Sequence, residues 1–157
     1  MKRLYNITQE YDWDCGVAAV QTMFFNLCDG REISHRKVVK ALESSQYIGT
    51  GFYNMQKGIL KLDKTLQVET HIGATLKKLR EWNDAGAYLI VDWWDQTDGH
   101  YSHVADITLE YITLSDPQYH NPRTIDNRTF YTNWFDWSGE FEDKLWIDRG
   151  VIKIVKT

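Results

Sequence analysis

The period of the apolar residues changes once along this chain, and that change limits the folds open to it. Up to Leu62 the apolar positions recur at helical spacing; from Leu66 onward they mostly alternate. Val20, Met23, Phe24 and Leu27 mark one helical face after Cys15, and Asp29-Gly30 stops it. Ser34 stands where a cap would open a second helix carrying Val38, Val39 and Leu42. Thr50 or Gly51 opens a third, with Phe52, Met55, Ile59 and Leu62 in register. Leu66, Val68, Thr70 and Ile72 then alternate as a strand does. A short helix over Leu76 and Leu79 closes at Ala85-Gly86. Residues 87–93 read as a buried strand, 100–107 and 111–115 as a hairpin ended by Asp116-Pro117, and 151–155 as a closing strand. Phe130, Trp134 and Trp137 are spaced for one more short helix. A helical first half followed by a mostly antiparallel sheet predicts an α+β domain of two packed lobes.

At 157 residues the chain fits a single domain spanning 1–157. Apolar residues make up 43%, with seven Trp, enough for a core without disulfide or metal. The net charge of −4 argues against nucleic acid as a partner, which would call for a basic stripe. Lys77, Lys78 and Arg80 read as the solvated face of a helix. The longest apolar run, residues 87–91, ends at Asp92 and is too short to cross a bilayer. Residues 1–14 hold no apolar core of signal-peptide length, which predicts a cytoplasmic protein.

The two cysteines, Cys15 and Cys28, lie 13 apart on one helical pattern and cannot bridge each other. Neither belongs to a CxxC pair or a zinc spacing. Cys28 sits near the helix end among apolar neighbours and reads as a small core residue. Cys15 follows Asp14, which stands at the N-cap position. A thiol in the first helical turn meets unpaired N–H groups and the positive end of the dipole, which favour the thiolate. By position alone Cys15 reads equally as a nucleophile and as a core thiol. Gly16, next to it, would let a substrate backbone approach closely.

A cysteine nucleophile needs a base, and the base needs an orienting group. Of the five histidines, His35 reads as a surface residue, His71 as a strand end without a partner and His120 as loop. His100 and His103 both open the hairpin strand and point to opposite faces, so one of them can meet Cys15. Parity and a simple hairpin register do not choose between them, since that register also brings His103 near Asp116. His100, His103 and Asp106 do not suit a metal ion, because a strand turns successive members to opposite faces. Gln9, six residues before Cys15, carries an amide that can donate to a developing oxyanion.

Together these residues resemble the bacteriocin-processing double-glycine leader peptidases, a family of papain-like cysteine peptidases. The segment from Gln9 through Cys15-Gly16-Val17-Ala18 is similar to their Gln-x5-Cys-Gly-x-Ala signature. Gly99-His100-Tyr101-Ser102 resembles their histidine segment and Ser115-Asp116-Pro117 their closing motif, at the family's interval of 16 residues. Gly49-Thr50-Gly51 and the stretch from Phe130 to Trp137 continue the likeness, which thus covers most of the chain.

The resemblance implies a papain-like fold, with a helical N-terminal lobe packed on a C-terminal antiparallel sheet. It implies Cys15 as nucleophile, His100 as general base, Asp116 as its orienting group and Gln9 as an oxyanion donor. No cofactor is implied. The expected substrate is a peptide or protein cut after small residues, such as Gly-Gly or Gly-Ala. Trp13, Trp93 and Trp94 are expected to wall the narrow cleft. The family's best-known members are fused to an ABC transporter, and here a transporter or export partner would act in trans. The competing expectation is a peptidase-like module that binds a peptide or partner without cutting it. One departure stands out, since His103 takes the place of an apolar residue.

Overall fold

A computed structural model of the chain describes residues 5–96, 98–138 and 145–157. The N-terminal segment read above for signal character is described from Tyr5 onward, and residues 1–4 lie outside the described residues. Three helices come first: α1 (Cys15–Leu27), α2 (His35–Leu42) and α3 (Phe52–Leu62). Then follow β1 (Leu66–His71), α4 (Leu76–Asp84), β2 (Tyr88–Asp95), β3 (Asp98–Ile107) and β4 (Tyr111–Ser115). The chain closes with β5 (Arg123–Asp126), α5 (Asn127–Thr132), β6 (Phe135–Ser138), β7 (Leu145–Asp148) and β8 (Gly150–Lys156).

Helix α1 ends where Asp29 and Gly30 take left-handed φ angles of 56° and 80°, a break that Gly tolerates without strain. Thr75 caps α4 by accepting the Lys78 N–H at 3.1 Å. Six antiparallel strands form one sheet in the order β1-β8-β2-β3-β4-β5, so the last strand slots between the first and second. Both faces of the sheet are covered. Even residues Tyr88 and Ile90 of β2 join Val20, Met23, Phe24, Phe52 and Met55 in a core beneath α1–α3. Odd residues Leu89, Val91 and Trp93 join Leu79 of α4 and Phe130 of α5 in a second core. A central strand with two covered faces needs apolar side chains on both, which is why residues 88–91 are continuously apolar. The α+β class and the helices-then-sheet order agree with the sequence reading.

One expected element is different. The helix predicted over Phe130, Trp134 and Trp137 stops at Thr132, Trp134 follows it, and Trp137 lies in β6 opposite Trp146 of β7. The apolar spacing suited a helix. Instead, the Trp134 indole reaches the second core and donates to the Gly150 carbonyl at 2.9 Å. The backbone of β6 then finds its hydrogen bonds in β7. Strand β5 was likewise not anticipated; its pattern is half exposed and too weak to read.

A bulge in β3 governs the site. Near the turn, Ile107 pairs with Ile112 and Asp106 with Thr113, a register that would set His103 opposite Asp116 if continued. Between Val104 and Asp106 the register slips by one residue, so His103 pairs with Ser115 instead. A one-residue slip reverses the face of every later side chain. Asp116 therefore turns to the side of His100.

Candidate active site

Cys15 is the first residue of α1, is 8% exposed, and borders a cavity of about 590 Å³. Asp14 occupies the cap position but makes no side-chain cap bond. Its carboxylate accepts the Tyr11 N–H at 3.0 Å and pairs with His35 Nε2 at 2.9 Å. This corrects two expectations, since Asp14 braces the entry loop and His35 is its partner, half-buried against Trp13.

His100 lies near the start of β3, with Nε2 2.5 Å from Asp116 Oδ1. The Cys15 thiol lies close enough to act on the same imidazole. Burial pushes the imidazole pKa down, but the bonds and charges of Asp116 and Cys15 outweigh burial and raise it to about 10. Asp116 responds in the opposite sense. Burial alone would raise its pKa, yet His100, the Gln118 N–H and Arg123 hold it below the ordinary carboxylate range. His103 is not part of this group. It stacks on Tyr88 at 3.7 Å, and its Nδ1 meets the Leu89 carbonyl at 3.0 Å. Burial pushes its pKa down to about 4.

The model of the Peptidase C39 family matches residues 3–139. The chain belongs to this family of cysteine peptidases. Its fold is similar to the peptidase domain of Streptococcus ComA, a bi-functional ABC transporter involved in a quorum sensing pathway. That likeness has a TM-score of 0.73 at 14% identity, covering 99% of this chain and 100% of that one. A C39-like peptidase from Bacillus anthracis has a TM-score of 0.71 at 12% identity, covering 99% of this chain and 96% of that one. The peptidase domain of Streptococcus mutans ComA has a TM-score of 0.59 at 16% identity, covering 96% of this chain and 98% of that one. No curated protein matches the chain.

In this C39 chain the residues around the central group take places that the sequence did not foretell. Arg123, on β5, donates to Asp116 Oδ2 and to Asp95 Oδ2, both at 2.8 Å. Asp95, His100 and Asp116 offer ligand atoms within 4.8 Å of one another, and Arg123 supplies the cation that joins the two carboxylates. Its guanidinium also lies over Trp93. Arg123 escaped the sequence reading because an isolated Arg after an Asn-Pro turn carries no local signal. Asn6 likewise pins the turn, donating to the carbonyls of Asp116 at 3.0 Å and Tyr119 at 2.7 Å.

Trp93 does not wall the cleft. It is 3% exposed, lies edge-on to His100 in the second core, and donates to Ser102 Oγ at 3.1 Å. Strand parity puts it there, since Trp93 shares the face of Leu89 and Val91 in the second core. Trp94 stacks on Phe135 instead, and Trp13 does line the cavity. Gly16 also serves differently from expectation. A Cβ there would come within 2.6 Å of Thr50 Oγ1, so the glycine lets α1 pack on the entry to α3. Gly99 has a similar reason, because a Cβ would meet Asp136 Oδ1 at 2.1 Å.

Gln9 ties the N-terminal segment to the Asp-Pro turn, its N–H donating to the Pro117 carbonyl at 2.8 Å. Its Nε2 donates to the Tyr11 carbonyl at 2.7 Å. Oε1 is buried without a hydrogen-bond partner. His71, expected to stand alone, pairs with Glu69 at 2.9 Å and packs on Trp82. Cys28 is half-buried, and burial raises its pKa.

Proposed function

We propose that residues 1–157 act as one cysteine peptidase unit that cuts a peptide or protein after small residues such as Gly-Gly or Gly-Ala. The observation that carries this reading is the convergence of Cys15, His100 and Asp116, from α1, β3 and the end of β4. His100 takes the thiol proton and the sulfur bonds to the scissile carbonyl carbon, moving an electron pair onto oxygen. The C–N bond then breaks as His100 returns the proton to the leaving amine. Water, losing a proton to His100, opens the thioester and frees the sulfur.

Asp116 keeps the Nε2 proton in place, which leaves Nδ1 for the sulfur. In this reading Gln9 donates to the oxyanion. One hydrogen of its Nε2 goes to Tyr11, and the second serves the oxyanion together with the Cys15 N–H. Trp13 borders the bound peptide on the cavity side.

Among the described residues no helix is long and apolar enough to cross a membrane. The ComA likeness supports a transporter as partner in trans, with cutting on the cytoplasmic side. Iodoacetamide at pH 6 should label Cys15 well before Cys28, and a Gly-Gly peptide should be cleaved by the wild type but not by Cys15→Ala. Equal labelling of both thiols, with no cleavage, would favour a binding module instead.

A further inference from the structure

The segment from Gln9 to Asp14 carries the oxyanion donor at one end and leads into Cys15 at the other, yet it belongs to no helix or strand. An amide that is to meet an oxyanion has to be held in place before the reaction begins. Tyr11 holds Gln9, since its carbonyl accepts from Gln9 Nε2 at 2.7 Å. Tyr11 is held in turn by its own N–H, which donates to Asp14 Oδ1 at 3.0 Å. The Glu10 N–H donates to Asp14 Oδ2 at 3.4 Å. The loop thus closes on one carboxylate, and that carboxylate is 1% exposed.

The carboxylate has a partner outside the loop. His35 Nε2 lies 2.9 Å from Asp14 Oδ2. A carboxylate only accepts, so Nε2 carries the hydrogen in this contact. His35 is the first residue of α2, and Val38 and Leu42 anchor that helix by full burial in the core shared by α1–α3. The side of the ring adds a second grip. Tyr11 and Trp13 stack on each other at 5.7 Å, and the His35 ring lies 6.3 Å from the first and 6.2 Å from the second. A loop whose hydrogen bonds closed only on its own carboxylate could swing as a unit. Tied to a packed helix, it has one position.

Resting on the peptidase reading above, we propose that His35 is a positioning residue, which fixes the Gln9 amide for the oxyanion by tying Asp14 and Tyr11 to α2. It acts through those two residues and not on the reacting atoms. The contribution belongs to the transition state, because the amide matters most once charge reaches the oxygen.

Two variants separate the hydrogen bond from the packing. His35→Phe keeps a ring beside Tyr11 and Trp13 but has no donor, whereas His35→Gln restores an N–H at about the reach of Nε2. On a quenched Gly-Gly peptide, His35→Phe should lower kcat about thirtyfold with KM within about twofold, and His35→Gln should recover most of that loss. In a Gln9→Ala background, where the amide is already gone, His35→Phe should cost less than about threefold more. Iodoacetamide alkylation of Cys15 forms no oxyanion, so at pH 6 it should slow by less than about twofold in His35→Phe. Equal losses in the Phe and Gln variants, a full loss in the Gln9→Ala background as well, or unchanged kcat in His35→Phe overturns the proposal. So does a parallel fall in alkylation and turnover, which would mean a disturbed thiol or fold. Failure of the peptidase reading has a different signature, in which the wild type itself cuts nothing and labels Cys15 no faster than Cys28, and the positioning role falls with it.

Discussion

His100 and His103 stand on one strand, are 6% and 5% exposed, and titrate in opposite directions. His100 is raised to about 10 and His103 lowered to about 4. Burial works against the proton on both. The difference lies in what each ring meets. His100 meets the carboxylate of Asp116 and the sulfur of Cys15, whereas His103 meets a tyrosine ring and a backbone carbonyl. A buried histidine keeps its proton where negative partners are fixed around it and loses it where the neighbours are neutral.

The sharpest way to break this comparison is kinetic. His100→Ala should lower turnover of a Gly-Gly peptide by about a thousandfold or more, because in the proposed mechanism it removes the base and later the acid. His103→Gln should leave turnover within a few-fold of wild type. Steady-state rates with the effects reversed would move the base to His103.

Stability against pH sharpens the same contrast. His103 binds a proton unfolded near 6.5 but folded only near 4, so its contribution is full above about 6.5 and lost as pH falls to 4. That loss is on the order of 3 kcal/mol. His100 has the opposite sign: its contribution is full below about 6.5 and lost as pH rises to 10. Urea unfolding from pH 4 to 10 should show both slopes. His103→Gln should flatten the acid limb alone and His100→Gln the alkaline limb alone. A shared response in both variants would contradict the separate environments.

Gln9 asks whether the catalytic side extends beyond the histidine. Gln9→Ala should reduce turnover about a hundredfold with KM and Tm nearly unchanged. Gln9→Glu should fall further, since a carboxylate removes the donor and repels the oxyanion. Normal turnover in both variants would leave Gln9 as a tether only. The smallest effect is expected at Arg123, which reaches His100 through Asp116 and Trp93 and not directly. Arg123→Met should cost about tenfold in rate, through a looser carboxylate. It should also move the acid limb of the pH–rate profile upward, because Asp116 loses a partner that holds its pKa down. A rate loss with no movement of that limb would make Arg123 a fold residue alone.

Much of the frame was legible in the residues. Phe52, Met55 and Ile59 announce α3 by spacing, and the alternation from Leu66 announces β1. The Cys-Gly, Gly-His and Asp-Pro segments carry the family likeness, and the family match covers all three. Less was legible where a residue's reason lies across the fold. Gly16 reads as a gap for substrate until Thr50 is seen to fill it. Trp93 reads as a cleft wall until strand parity turns it inward. Trp137 reads as helical until β7 supplies its hydrogen bonds.

By itself the sequence determined the first four helices and the strands β1 to β4 and β8, because hydrophobic period and local caps act over a few residues, but not β5, β6 or β7. It also determined that a thiol opens the first helix, and that two histidines of opposite parity share one strand. Only the tertiary structure decided which histidine meets Asp116. That choice rests on one slipped residue between Val104 and Asp106, which sets the face of everything beyond it on the pair. A bulge depends on how two strands and the layers above and below them pack, and no local pattern in β3 records it. Arg123 belongs to the same class, for its partners Asp95 and Asp116 lie outside its own strand and its charge acts on them only once folding removes the water between them.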